Sequence, residues 1–155
     1  MIFMLASITL ITLTNGQDCP EGCEGCTCDV KGSSFTVTCE DYNKTVLPTC
    51  MNESTSALYI YNSGINAIND GDFENATMLT AIEITNSRLD SINAEAFPNM
   101  TLLKRVSFRG NQIEQINDGV FARTPNLTSL DLTNNKPENI VMCRVVPFFS
   151  KFINL

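Results

Sequence analysis

The chain has 155 residues, which is room for one domain, and 43% of them are hydrophobic. A chain of this composition can bury a modest core, which argues against wholesale disorder. The formal net charge of −7 disfavours nucleic acid and anionic membranes as partners. Because the chain has no histidine and no glycine-rich phosphate motif, we expect no enzyme activity and no cofactor.

The segment MIFMLASITLITLTNG, residues 1–16, contains no charged side chain and carries an apolar run over residues 2–13. That run is too short to cross a bilayer as a helix, which takes ~20 apolar residues. Small residues at Thr14 and Gly16 suit cleavage before Gln17, so we predict a secretory signal peptide. The alternative, a buried helix, is disfavoured by the Asn-Gly pair and the cysteine cluster that follow.

Six of the seven cysteines fall within residues 17–50, which in a secreted chain indicates a disulfide-stapled module. They are Cys19, Cys23, Cys26, Cys28, Cys39 and Cys50. A zinc site would have to be built from cysteine alone, and secreted proteins usually oxidise such thiols, so we expect no metal. Six cysteines permit fifteen pairings, and their spacing does not choose among them.

Five N-x-S/T sequons indicate an N-glycosylated protein and support the secretory interpretation. The predicted glycosylation sites are Asn43, Asn52, Asn75, Asn99 and Asn126.

An apolar pattern with a period of 24 residues runs through residues 51–140 and predicts about four repeats, the last incomplete. The columns are Leu58, Ile82, Val106 and Leu130; Ile60, Ile84, Phe108 and Leu132; Ile68, Ile92, Ile116 and Ile140; and Phe73, Phe97 and Phe121. Within each copy the L-x-L piece alternates like a short half-buried strand. Stacked copies would therefore pair these strands in parallel, and no single repeat could bury its core alone.

The cleanest copy, LKRVSFRGNQIEQINDGVFARTPN at residues 103–126, matches the pattern L-x-x-L-x-L-x-x-N-x-L-x-x-I-x-x-x-x-F. Over roughly residues 55–140 the chain thus resembles the extracellular leucine-rich-repeat family. The resemblance implies an α/β repeat solenoid, a short right-handed coil with a parallel β-sheet on its concave face and a disulfide-rich N-terminal cap.

The ninth position of each copy holds Ser63, Ser87, Asn111 and Asn135. In the family this position is usually asparagine, whose amide satisfies buried backbone groups where the strand turns away. A serine reaches less far, so we expect the first two repeats to be looser than the third. The phenylalanine column is expected to form a spine toward the convex side.

The segment CPEGCEGCTCDVKGSSFTVTC resembles the N-terminal cap of the same family, and SFTVTC predicts its strand, Ser34 to Cys39. The bonds that the resemblance implies are Cys19 with Cys28, Cys26 with Cys39 and, as an addition to the family pattern, Cys23 with Cys50.

The outward positions of the predicted strands form the candidate binding surface, because solenoids use their exposed strands as an extended concave face. The set is Tyr59, Tyr61, Glu83, Thr85, Arg105, Ser107, Arg109, Asp131 and Thr133. Tyrosine and arginine supply large contact areas and directional hydrogen bonds, so Tyr59, Tyr61, Arg105 and Arg109 are the strongest candidates. Asp70 and Asp72 lie in turn-like sequence, where we interpret them as solvated turn residues rather than calcium ligands.

These features predict a secreted, extracellular binding module that recognises a protein or a glycoconjugate. Two alternatives stay open: a non-catalytic accessory subunit of a secreted enzyme complex, and a truncated or vestigial repeat product that lacks a C-terminal cap.

Residues 141–155 form an apolar tail outside the repeat, and Pro137 already replaces an aliphatic residue of the preceding copy. The tail is too short for a membrane span and does not fit a lipid-anchor signal. It either folds back over the last repeat or is a truncated end. Cys143 lies roughly 14 Å of stacking beyond the cysteine module, out of disulfide reach, so we predict a free thiol that could link two chains into a dimer.

Overall fold

The computed structural model describes residues 19–117 and 119–136, together with the backbone of Ile153–Asn154. The predicted signal peptide, Pro137 and Cys143 lie outside these residues. The strands are β1 (Thr27–Lys31), β2 (Ser34–Glu40), β3 (Thr55–Tyr61), β4 (Ala67–Ile68), β5 (Ala81–Thr85), β6 (Ser91–Ile92), β7 (Arg105–Ser107), β8 (Ser129–Asp131) and β9 (Ile153–Asn154). The described residues contain no apolar helix of membrane-spanning length.

One seven-stranded sheet in the order β1-β2-β3-β5-β7-β8-β9 carries the repeats. The cap strands β1 and β2 pair antiparallel, and every later neighbour in this sheet pairs in parallel. Leu58 pairs with Ile82, Ile82 with Val106 and Val106 with Leu130, which is the 24-residue period in space. The predicted solenoid with a parallel sheet is confirmed.

The apolar columns face a single core in which Leu58, Ile82 and Leu130 are completely buried. The phenylalanine column forms the expected spine, with Phe97 stacked 5.5 Å from Phe73 and 5.1 Å from Phe121 between ring centroids. Opposite the main sheet the described repeats consist of turns and the short parallel pair β4 and β6, without helices. Turns suffice there because the spine fills the interior.

The ninth-position column forms a buried polar ladder between successive turns. The amide of Asn111 donates to the carbonyls of Ile84 and Phe108 at 2.6 and 2.8 Å, and its Oδ1 accepts from the Leu89 N–H at 3.2 Å. Asn135 repeats this pattern one turn later.

The two serines of the ladder bond to each other instead of to the preceding strand. The Ser87 hydroxyl accepts from the Ser63 hydroxyl at 2.8 Å and from the Ser63 N–H at 3.0 Å, and donates to the Thr85 carbonyl. Both serines are buried. The Ser87 hydroxyl therefore forms hydrogen bonds within its own turn and with the neighbouring serine, whereas the longer asparagine side chain also forms a hydrogen bond to a carbonyl of the preceding repeat.

A second column of residues, which the hydrophobic pattern did not predict, lies where each turn leaves the sheet. Its members have left-handed backbone with φ between 48° and 69°: Asp41, Asn62, Asn86, Gly110 and Asn134. Asparagine, aspartate and glycine tolerate this conformation best. The N–H groups of Asn86 and Gly110 donate to the Arg109 and Thr133 carbonyls, both at 2.9 Å. These bonds continue the backbone hydrogen bonding of the sheet past the ends of the strands.

The cap joins the sheet through β2, which includes the predicted strand. Val37 pairs with Leu58 and Cys39 with Ile60, so the inward side of β2 continues the apolar columns and covers the end of the core. Three disulfides hold the cap, with the pairs that the family resemblance implied: Cys19–Cys28, Cys26–Cys39 and Cys23–Cys50, at Cα separations of 5.2, 4.1 and 5.3 Å.

At the other end of the sheet, β9 pairs in parallel with β8, Ile153 opposite Leu130 and Asn154 opposite Asp131. β9 therefore extends the sheet by one strand beyond β8, which is the last strand that follows the 24-residue pattern.

Candidate binding surface on the sheet

The nine predicted binding residues lie on the side of the sheet that faces away from the core, here called the outward sheet face. They alternate with buried residues along each strand, and all nine are at least partly exposed. Tyr59 neighbours Glu83, Glu83 neighbours Ser107 and Ser107 neighbours Asp131, so one row crosses four strands. A second row, one dipeptide further along, contains Tyr61, Thr85, Arg109 and Thr133. Arg105 lies in a third row between Ala81 and Ser129.

The N-terminal half of this face is acidic and aromatic. The Tyr61 hydroxyl donates to Glu83 Oε2 at 3.3 Å. Burial of the ring, together with the negative charge of Glu83 and this hydrogen bond, raises the pKa of Tyr61 to about 12. Tyr59 and Glu40 act in the same direction from nearby positions. The phenol of Tyr61 is therefore a neutral hydrogen-bonding group at physiological pH.

The C-terminal half carries the two arginines. Arg105 and Arg109 are exposed, and neither forms an ion pair with another described residue. The Asp131 carboxylate already forms local hydrogen bonds, since its Oδ1 accepts from the N–H and the hydroxyl of Thr133 at 2.9 and 2.8 Å. The two guanidinium groups are consequently the charges on this half that are free to meet a ligand.

The cap strand β2 also contributes residues to the outward sheet face, which the repeat pattern alone did not predict. Because β2 pairs with β3, Thr38 neighbours Tyr59 and Glu40 neighbours Tyr61, which extends both rows by one strand. The signal that could have found them is the alternation in SFTVTCE, whose inward residues continue the repeat columns.

The acidic turn residue Asp72, the clustered cysteines and the sequon asparagines do not belong to the candidate binding surface. Asp72 Oδ2 accepts from the Asn69 N–H at 2.7 Å, which closes a local turn. The sulfur atoms of Cys19, Cys23 and Cys28 lie within 4.8 Å of one another, but each belongs to a disulfide. The five sequon asparagines are all exposed, and none belongs to the nine residues of the candidate surface.

Comparison with known proteins agrees with this architecture. Residues 77–136 match the family model described as leucine rich repeat. No curated protein sequence matches the chain significantly. The crystal structure of human 5T4 (Wnt-activated inhibitory factor 1, trophoblast glycoprotein) superposes with a TM-score of 0.62 at 22% sequence identity, covering 81% of this chain and 44% of that chain.

At this identity the likeness to 5T4 shows the fold alone, and the chain spans less than half the length of that protein. The match over residues 77–136 and the 24-residue strand register show a leucine-rich-repeat solenoid fold, and the disulfide-bonded cap lies at the N-terminal end of this solenoid.

Proposed function

We propose that this chain is a non-catalytic extracellular binding module that recognises a protein or glycoconjugate through the outward sheet face, the concave face of the solenoid. Three disulfides and five exposed sequon asparagines support an extracellular location. Leucine-rich-repeat solenoids use an extended face of this kind for binding.

The observation that carries the proposal is the contrast between the two sides of the sheet. The core columns are uniformly apolar, whereas the outward rows mix tyrosine, arginine, carboxylate and hydroxyl groups. Tyr61 and Glu83 form a preorganised hydrogen-bonded pair at one end, and Arg105 and Arg109, which form no ion pair with another described residue, lie at the other. A partner surface that places a basic group near Glu83 and an acidic group near Arg109 matches this charge distribution.

Affinity capture from extracellular fluid with the mature protein tests the proposal. A double variant, Tyr61→Ala with Arg109→Ala, removes one aromatic and one cationic anchor without touching the core. We expect it to lose the partners that the wild-type protein recovers, because interface hot spots are enriched in tyrosine and arginine, and truncation of a hot-spot residue costs about 2 kcal/mol of binding free energy or more.

The matched control is Glu95→Ala with Arg123→Ala, which removes an exposed ion pair of 2.7 Å from the turns near the phenylalanine spine. This variant should recover the wild-type partners. If the Tyr61 and Arg109 variant also recovers them unchanged, the outward sheet face is not the binding surface.

A further inference from the structure

Two exposed apolar side chains stand in one column outside the core. Among the described residues, Met78 and Leu102 are 48% and 38% exposed, and they are 24 positions apart. Each lies three positions before the strand of its repeat, β5 or β7. The turns are stacked here, since the Lys104 N–H donates to the Thr80 carbonyl at 2.9 Å. Met78 and Leu102 thus form a short apolar strip across two successive turns.

Asn126 occupies the same column one turn further along and begins the sequon Asn126-Leu127-Thr128. Its side-chain nitrogen donates to the Thr101 carbonyl at 2.7 Å, which holds the asparagine against the turn that carries Leu102. An N-glycosylated asparagine keeps one hydrogen on that nitrogen, so the modified side chain can retain the same bond. The first sugar then starts at the end of the apolar strip.

The two neighbouring sequons lie in a different column. Asn75 and Asn99 share their 24-residue step with Arg123, whose guanidinium pairs with Glu95. Asn126 is therefore the sequon asparagine that is in register with the strip.

We propose that the N-linked glycan on Asn126 lies along the strip formed by Met78 and Leu102 and shields it from solvent. With turns stacked ~4.8 Å apart, Met78 lies about 10 Å from Asn126 along the stack, within reach of the inner sugar rings. Sugar rings present apolar C–H faces, and covering exposed apolar side chains with them removes apolar surface from water. The strip is then a carbohydrate-covered surface, separate from the outward sheet face.

Oxidation of Met78 reports directly on this cover, because an accessible methionine forms the sulfoxide faster than a shielded one. The protein is produced by a glycosylating secretory host, treated with dilute hydrogen peroxide and analysed by peptide mass spectrometry. Thr128→Ala and Asn126→Gln both remove the sequon, whereas Thr128→Ser retains it. We expect Met78 to oxidise several-fold faster in the two sequon-removing variants and after enzymatic deglycosylation than in wild type or Thr128→Ser.

Met51 and Met100 are internal controls, because they are 6% and 0% exposed and should remain slow in every sample. Unchanged Met78 oxidation despite full occupancy of Asn126 would overturn the inference. A rate increase in Asn99→Gln but not in Thr128→Ala would also overturn it.

The inference rests on the proposed extracellular function, since the glycan is added in the secretory pathway. A secreted protein with unmodified Asn126 would overturn the glycan cover and leave the proposed function intact. Absence of the protein from the medium would overturn both.

Discussion

Substitution of Asn111 by alanine removes the side-chain hydrogen bonds that join the second and third repeats in the polar ladder. Asn111 is 6% exposed, and its side-chain amide makes hydrogen bonds to four main-chain groups, those of Ile84, Leu89, Phe108 and Arg109. Two of these groups belong to the preceding repeat, so the loss acts on the interface between turns. That interface is what stabilises a solenoid, because each repeat contacts only its neighbours.

The expected cost follows from the groups left without partners. A buried polar group that loses its partner costs ~1–3 kcal/mol, and a carbonyl with a second acceptor site lies at the lower end of that range. The Phe108 carbonyl still accepts from the Asn135 side chain and the Arg109 carbonyl from the Asn86 N–H, so the Ile84 carbonyl and the Leu89 N–H are the groups that lose their partner. Two groups at about 1–1.5 kcal/mol each give a loss of ~2–3 kcal/mol in the free energy of unfolding. A domain of this size has only ~5–15 kcal/mol in total, so this loss is a large fraction of its stability.

Chemical denaturation followed by circular dichroism, with the disulfides intact, measures this loss. Two variants serve as controls. Ser63→Ala removes a single hydroxyl from the same column and should cost about 1–2 kcal/mol. Asn111→Leu restores volume without hydrogen bonds and should remain destabilised by ~2 kcal/mol or more. A loss below about 1 kcal/mol for Asn111→Ala, or a larger loss for Ser63→Ala, would refute the ladder as the source of stability between turns.

Three further outcomes are expected. Burial and the Glu83 charge raise the pKa of Tyr61 from 10.0 to about 12, so the contribution of neutral Tyr61 to stability is complete below pH 10.0 and is lost as the pH rises through about 12. Ultraviolet titration should show a lower pKa of Tyr61 in the Glu83→Gln variant. An unchanged pKa would contradict the role assigned to Glu83. Replacing Cys26 and Cys39 by alanine should cost ~3 kcal/mol of unfolding free energy, since their bond closes a 13-residue separation across the cap, and a loss under about 1 kcal/mol would show that the cap does not depend on it. Truncation before Ile153 removes β9 and should speed amide exchange in β8, whereas unchanged exchange would show that β9 does not protect that edge.

The repeat architecture could be predicted from sequence because each of its determinants recurs. One apolar column places a buried residue at the same position of four successive repeats, namely Leu58, Ile82, Val106 and Leu130. The period of 24 can therefore be recognised from the sequence alone. The strand positions and the phenylalanine spine follow directly, since inward residues alternate with outward ones. The structure confirms both.

The left-handed column escaped prediction because its members share a backbone conformation rather than a chemical character. Asn86 and Gly110 look unrelated as side chains, yet both tolerate positive φ. A pattern search for apolar residues passes over them. Reading the column for tolerance of left-handed backbone, instead of for hydrophobicity, would have found it.

The contribution of the cap strand to the outward sheet face was missed for a different reason. The period of 24 begins with the first repeat, and β2 is joined to it through a cysteine-rich segment with its own spacing. The pairing of Glu40 with Tyr61 depends on how the disulfides orient that segment, which sequence spacing alone does not specify. The binding role of the predicted surface residues stays a prediction.

A single added glycan tests the use of the outward sheet face most directly. Glu83→Asn creates an N-x-T sequon at the centre of that face, because Thr85 already follows two positions later. Ala122→Asn creates one in an exposed turn beside the phenylalanine spine, using Thr124, and serves as the matched control. With occupancy verified by mass spectrometry, the glycan at position 83 should abolish partner capture, whereas the glycan at position 122 should leave it intact. Undiminished capture by the protein glycosylated at position 83 would contradict binding through this face.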